Sequence, residues 1–274
     1  MTPPSILITG VSSGIGRVTA AHLLQRGFHV YGSVRGGDAP PELADNPSFT
    51  TLTFDVRDRA AMAAAVADIG AAGRPLLGVV NNAGVAVPGP VETTLEAEYR
   101  RQFEVNVFGL IAMCQEALPL LHAAKEAGHE PRIVNVSSVS GYLTSPYMTF
   151  YSASKFAVEA LTDGLRRELL PFGIDVVSVA PGPTKTPIWS KGSTQTSGFE
   201  GNRYSHLIPQ LDPYTKAAER NGVEPEQVAA AIHRALTDER PRPHELIMNK
   251  RWLARLVRLM PRRWQDNFFT KRYR

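Results

Sequence analysis

Short apolar runs alternate with amphipathic helical stretches along this 274-residue chain, and that alternation leaves few folds open to it. The runs fall at residues 5–9, 28–34, 51–54, 76–80, 132–136, 174–179 and 244–248. Between most of them apolar residues recur three and four apart, the period of a helix with one buried face. The pattern predicts an α/β chain built as a doubly wound parallel sheet of about seven strands with helices on both faces. No internal repeat or second domain interrupts it.

In such a sheet ligands collect at the carboxyl ends of the strands, so those ends are where chemistry is sought. The first strand runs into Gly10-Val-Ser-Ser-Gly14-Ile-Gly16, and a helical pattern follows directly. Glycines at this junction permit a tight turn and a close backbone approach to a pyrophosphate, whose charge suits the helix N-terminus. The second strand ends in Val34-Arg35. An acid there holds a ribose 2′-hydroxyl and an arginine accommodates a 2′-phosphate, so NADP(H) is expected rather than NAD(H), with Ser12 and Ser13 near enough in sequence to assist. The third strand ends in Asp55-Val56 and the fourth in Asn81-Asn82-Ala83-Gly84. A long helix is expected over residues 95–124, with Asn106 in its middle, where a polar job or a solvent face must explain a mediocre helix former.

Residues 138–155, SVSGYLTSPYMTFYSASK, follow the fifth strand. If their end is helical, Tyr151 and Lys155 stand one turn apart on one face. A phenol beside a fixed cation ionises more easily and can exchange a proton with an alcohol or carbonyl. A Tyr-x-x-x-Lys pair alone is a weak signal; its company at the other strand ends strengthens it. The sixth strand runs into Pro181-Gly182-Pro183-Thr184-Lys185-Thr186, and a long aperiodic stretch over 187–222, with Trp189 and other aromatics, reads as a substrate lid.

Composition narrows the class. A hydrophobic share of 43% with 20% charged residues is that of a soluble globular protein, and the single cysteine, Cys114, excludes an internal disulfide. The N-terminus has neither a signal-peptide pattern nor a membrane span, so a cytoplasmic protein is expected. Residues 250–274 carry nine Lys or Arg against Asp266 alone, which makes the net +4 a property of the tail. A nucleic-acid-binding body is therefore not indicated. The tail follows the pattern of a basic amphipathic helix, suited to an anionic membrane surface or to packing on the lid or a second subunit.

With these residues laid out, the chain resembles the short-chain dehydrogenase/reductase family over residues 5–249. The matching motifs are Thr9-Gly10-x-x-x-Gly14-x-Gly16, Asp55-Val56, Asn81-Asn82-Ala83-Gly84, Asn106, Ser138, Tyr151-x-x-x-Lys155 and Pro181-Gly182 with Thr186. The resemblance implies a single Rossmann-type domain over 1–249, including the 187–222 loop, with 250–274 as an extension. It implies Tyr151 as the general acid/base, Lys155 as the residue that lowers its pKa and binds nicotinamide ribose, and Ser138 as the hydrogen-bond partner of the substrate oxygen. Asn106 would hold a water linking Lys155 to solvent. NADP(H) would lie along Gly10, Ser12, Ser13, Gly14, Ile15, Gly16, Arg35, Asp55, Val56, Asn82, Ala83, Gly84, Tyr151, Lys155, Pro181, Gly182, Thr184 and Thr186, and substrate against Ser138, Tyr151 and Trp189; no metal is expected. Pro183-Thr184 departs from the family pattern, in which an apolar residue is commoner at the second position. The branch it looks most like includes hydroxysteroid and retinol dehydrogenases. The resulting expectation is an oxidoreductase interconverting an alcohol and a ketone or aldehyde on an apolar steroid-, retinoid- or lipid-like substrate, as a dimer or tetramer. The alternative is a catalytically silent NADP(H)-sensing or membrane-surface protein on the same fold.

Overall fold

The computed structural model describes residues 3–186, 200–207, 220–249 and 251–270, without the side chains of Leu253 and Arg255. Seven strands form one sheet: β1 Ser5–Ile8, β2 His29–Val34, β3 Phe49–Thr53, β4 Leu76–Asn81, β5 Arg132–Val136, β6 Asp175–Pro181 and β7 His244–Ile247. Their spatial order is β3-β2-β1-β4-β5-β6-β7, and every neighbouring pair is parallel. The chain winds outward from β1 to β3, then returns to place β4 on the other side of β1, so the crevice lies at the carboxyl ends of β1 and β4.

Alternation along the strands assigns the two faces. Ile6 and Ile8 point to one side with Val80, Val134, Val177 and Val179, against Leu23 of α1 (Gly14–Leu24) and Val228, Ile232 and Leu236 of α7 (Pro225–Thr237). Leu7 points to the other with Val79, Ile133 and Val176. There it meets Met62 and Ile69 of α3 (Arg59–Ala71), Met113, Ala117 and Leu121 of α5 (Gly109–Glu126), and Val158 of α6 (Thr149–Leu169). The short α2 (Pro41–Ala44) adds Leu43 to the first face. Asp58 caps α3, its carboxylate accepting from the Ala61 amide at 3.0 Å.

The long helix expected over 95–124 departs from the simple reading. It starts as α4 (Glu96–Phe103), opens into a π-helical turn at Glu104–Phe108, and resumes as α5. Single π turns are a recurrent device for presenting a polar residue inside a helix, and this one is centred on Asn106. The run Glu96–Glu126 is long and apolar enough to cross a membrane by composition. Its inward residues are nevertheless part of the core against β4 and β5.

The tail is two helices rather than one: α8 (Arg251–Leu259) and α9 (Arg262–Thr270), with Pro261 between them. Gln265 is buried at the break and donates to the Met260 carbonyl at 2.9 Å. The apolar side expected to act as one face is divided. Ala254 and Val257 are buried, whereas Trp252, Leu256 and Leu259 stay exposed, Leu259 at 84%.

Candidate active site

One cavity of about 290 Å³ opens at the β1/β4 crevice, and most of the residues expected from sequence line it. Its first wall is backbone. Gly10 turns the chain with φ +74°, a conformation that favours glycine. The turn is pinned from both sides: the Gly10 amide donates to Ser33 Oγ at 3.0 Å, and Asn82 Nδ2 donates to the carbonyls of Thr9 (2.9 Å) and Gly10 (3.0 Å). Thr9 Oγ1 in turn accepts from the amides of Asn82 and Ala83, each at 3.0 Å. Asn82 is thus a strut between β4 and the glycine turn as well as a lining residue. Ser12, Ser13, Gly14, Ile15, Ala83 and Gly84 complete this wall. Gly16 does not line the cavity. A Cβ there would stand 2.3 Å from the Gly10 carbonyl oxygen and 2.4 Å from Asn82 Nδ2, so its job is to let α1 close on the turn.

Arg35 sits at the rim beside Ser33, Val34, Phe54 and Val56. Asp55 is not among the lining residues. Its carboxylate is taken by Arg57, through Nη2 at 2.8 Å and Nε at 3.1 Å, and these bonds hold it below the usual carboxylate range. The Arg57 partner was not foreseen from sequence, although an Asp two residues before an Arg is a local signal for it.

The opposite wall carries the side-chain chemistry. Helix α6 brings Tyr151 and Lys155 to the cavity on one face, and both are buried. Lys155 Nζ lies 5.9 Å from the centre of the Tyr151 ring and donates to the Val136 carbonyl at 2.9 Å. Burial pulls its ammonium down to about 8, and the charge of Glu159 acts in the opposite sense. Ser138 leaves the end of β5 in extended conformation, and its Oγ accepts from the Ser140 amide at 3.1 Å. With that lone pair engaged, the hydroxyl proton points elsewhere, and Ser138 also lines the cavity. Ala86 and Met148 pack with Tyr151 in a small apolar cluster on this side.

Asn106 stands behind this wall rather than in it. Its Oδ1 accepts from the Val85 amide at 2.9 Å, and its Nδ2 donates to the Val85 carbonyl (2.9 Å) and Ser154 Oγ (3.1 Å). The side-chain amide therefore clamps the segment after Gly84 to α6, and a Cβ on Gly84 would meet Asn106 Oδ1 at 3.4 Å and Lys155 Nζ at 3.8 Å.

The end of β6 at Pro181 and the segment after it, with Gly182, Thr184 and Thr186, close the cavity. At the position where the family pattern lapses, Thr184 is buried, its Oγ1 donating to the Gly182 carbonyl at 3.0 Å. Trp189, the proposed substrate contact, lies outside the described residues, as do Ile188, Phe199, Ile208, Leu211 and Tyr214. Of the described residues in the 187–222 stretch, Leu207 is buried, and Tyr204 donates to Glu92 at 2.7 Å with its ring 6.2 Å from that of Tyr147. Tyr147 has φ +63°, the one non-glycine residue in that region among those described.

A family model described as short chain dehydrogenase matches residues 4–197. An NADPH-dependent 3-dehydrocapnine reductase of Ornithobacterium rhinotracheale is 37% identical over 272 residues, covering 97% of this chain and 95% of its own. A 3-ketodihydrosphingosine reductase of Bacteroides thetaiotaomicron is 35% identical, covering 88% of this chain and 86% of its own. A crystal structure of a short-chain dehydrogenase from Streptomyces avermitilis superposes with a TM-score of 0.80 at 30% identity, covering 99% of this chain and 97% of that one. A glycine turn at the β1/β4 switch point, a buried Tyr-Lys pair on the facing helix, and a match along nearly the whole length place this chain in the short-chain dehydrogenase family.

Proposed function

We propose that this chain is an NADP(H)-dependent carbonyl reductase that converts a ketone or aldehyde on an apolar, lipid-like substrate to the alcohol, and the reverse. The observation that carries the reading is the buried Tyr151–Lys155 pair, placed in one cavity with Ser138 and the glycine turn. The residues present suit a dinucleotide phosphate. A backbone cradle at the N-terminus of α1 favours the pyrophosphate, and the Arg35 guanidinium at the rim suits a 2′-phosphate. The NADPH-dependent relative supports the same choice.

When bound, NADPH supplies the hydride. Every other task falls to the chain. Ser138 donates to the substrate oxygen, Tyr151 passes its phenolic proton to that oxygen as negative charge builds there, and the Lys155 ammonium stabilises the phenolate left behind. Lys155, held by the Val136 carbonyl, is oriented before substrate arrives. Asn106 acts by clamping Val85 and Ser154 around that pair.

Among steroid-, retinoid- and lipid-like substrates we favour a long-chain lipid, because the capnine and sphingosine reductases carry such names. We take residues 1–249 as the catalytic body and 250–274 as an extension that works at the lipid surface of a cytoplasmic enzyme. Trp252, Leu256 and Leu259 on α8, with Trp264 and Phe268 on α9, form exposed apolar stripes beside the exposed Arg251, Arg258, Arg262 and Arg263. Pairing of two copies through the helices that carry Asn106 and Tyr151 is supported by the exposed Phe108, at the end of the π turn, and Phe156 on α6. The test is NADPH oxidation against long-chain 3-keto amines, steroid ketones and retinal, with and without anionic vesicles. Turnover on the first class that vesicles increase, and that Leu259→Glu no longer lets them increase, supports the whole reading. Binding of NADPH without turnover on any class favours the silent alternative.

A further inference from the structure

One turn beyond Lys155 on α6, and buried like it, Glu159 sits in a cluster that the reaction as described does not use. Its carboxylate accepts from Ser178 Oγ of β6 at 2.7 Å, from Tyr142 Oη at 2.7 Å, and from His244 Nδ1 of β7 at 2.9 Å. Ser137, at the end of β5, lies beside it. The other nitrogen of His244 faces Asp163 at 2.9 Å, and Asp163 is paired with Arg166 and Arg167. Arg258 of α8 covers the Tyr142 ring at 5.3 Å. Side chains from β6, β7 and the segment after β5 thus meet on a single carboxylate, with the tail's Arg258 one residue removed, over the Tyr142 ring.

Such a group is costly to bury, and burial by itself pushes a carboxyl toward its neutral form. Here burial is outweighed: the donors from His244, Ser178 and Tyr142 hold Glu159 below the usual range, so it stays an anion. Lys155 has the complementary difficulty. It is buried with a carbonyl for a partner, and an ammonium in that setting loses its proton early.

We propose that Glu159 is a positioning residue for the reaction: its buried, fourfold-surrounded carboxylate keeps Lys155 in the ammonium form at neutral pH, acting through space from one helical turn away. The role of Lys155 in turnover rests on the reading above, but its protonation state does not. The first test therefore needs no substrate. In the cofactor-free protein, NMR of ε-carbon-labelled lysine, with Lys155→Met to assign the signal, follows the Lys155 midpoint directly. Glu159→Gln keeps the shape and removes the charge, and it is expected to lower that midpoint by about one pH unit. Glu159→Asp restores most of the shift. His244→Gln keeps the Glu159 charge and removes one of its donors, and leaves the midpoint in place or raises it.

In the loaded enzyme the alkaline limb of reductase activity moves with the midpoint, while plateau turnover changes less than the limb. If Glu159→Gln does not fold, Tyr142→Phe/Glu159→Met/Ser178→Ala removes the same charge together with two of its donors, leaving the part-exposed His244 to water, and the same acid-ward shift is expected. An unmoved Lys155 midpoint in the folded neutral variant overturns the proposal. So does an equal lowering by His244→Gln, which would assign the effect to the integrity of the cluster rather than to the charge. A shifted midpoint in a protein that reduces no carbonyl overturns the functional reading and leaves this one standing.

Discussion

The two walls of the cavity are built from different materials. The β1/β4 wall is backbone, a glycine turn held by Thr9, Ser33 and Asn82 with neutral hydrogen bonds near 3 Å. The α6 wall is buried charge: an ammonium on a carbonyl, with a carboxylate one turn away. A backbone wall tolerates almost no added volume, because its atoms cannot move without unravelling the turn. A charged wall tolerates isosteres in shape but not changes in protonation, because what it contributes is a field.

The largest expected effect breaks the second wall alone. Tyr151→Phe lowers kcat by about a hundredfold or more, the scale of a lost general acid, with NADPH affinity within about threefold of the parent by fluorescence titration. An active phenylalanine variant sinks the assignment. Gly16→Ala attacks the first wall: its Cβ meets a carbonyl oxygen at 2.3 Å, and thermal melts are expected to show a loss of about 3 kcal/mol together with weakened NADPH binding. A variant as stable as the parent would mean the turn yields, and the contrast between the walls would fail.

Arg35→Asp stays on the first wall but at its rim, where charge replaces shape as the determinant. The ratio of NADPH to NADH affinity is expected to fall at least about tenfold, with melting temperature unchanged. An unaltered ratio places the 2′-phosphate elsewhere.

The smallest effect tests the outer edge of the charged wall. Hydrogen bonds to Glu159 raise the proton affinity of His244 against burial, with Asp163 adding to the effect. A group raised on folding stabilises fully below its unfolded value near 6.5 and loses that contribution as pH climbs through the raised value. His244→Gln should therefore depress the melting temperature by about 2–4 °C at pH 6 and by less at pH 9. An equal depression at both would mean that the imidazole contributes packing rather than charge.

Parts of each wall were visible before any folding. The glycine spacing after an apolar strand announces a phosphate turn, and Tyr151 and Lys155 announce a shared helix face, because both are local relations that a helix or turn must honour. Less legible was the division of labour within a motif. Gly16 and Asn82 read as ligand contacts; the structure adds that Gly16 gives room for helix closure and that Asn82, while lining the cavity, also struts β4 to β1. Asn106 reads as an oddity in a helix, and the reason, a π turn that aims its amide at Val85 and Ser154, depends on residues 21 and 48 positions away. The tail reads as one amphipathic helix; Pro261 splits it, and only the packing of Ala254 and Val257 shows which apolar residues remain outward.

What the sequence determined by itself is the order and type of the elements and the chemistry at their ends. Apolar period and glycine placement act over a few residues, and the winding rules of a parallel sheet leave one arrangement for them. What only the tertiary structure decided is the company kept by buried charge. Glu159 is four residues from Lys155, and that much can be counted, but Tyr142, Ser178 and His244 reach it from separate elements, across up to 85 residues of chain. A charge in low dielectric answers to every group around it, and which groups those are is settled when the sheet is assembled and not before.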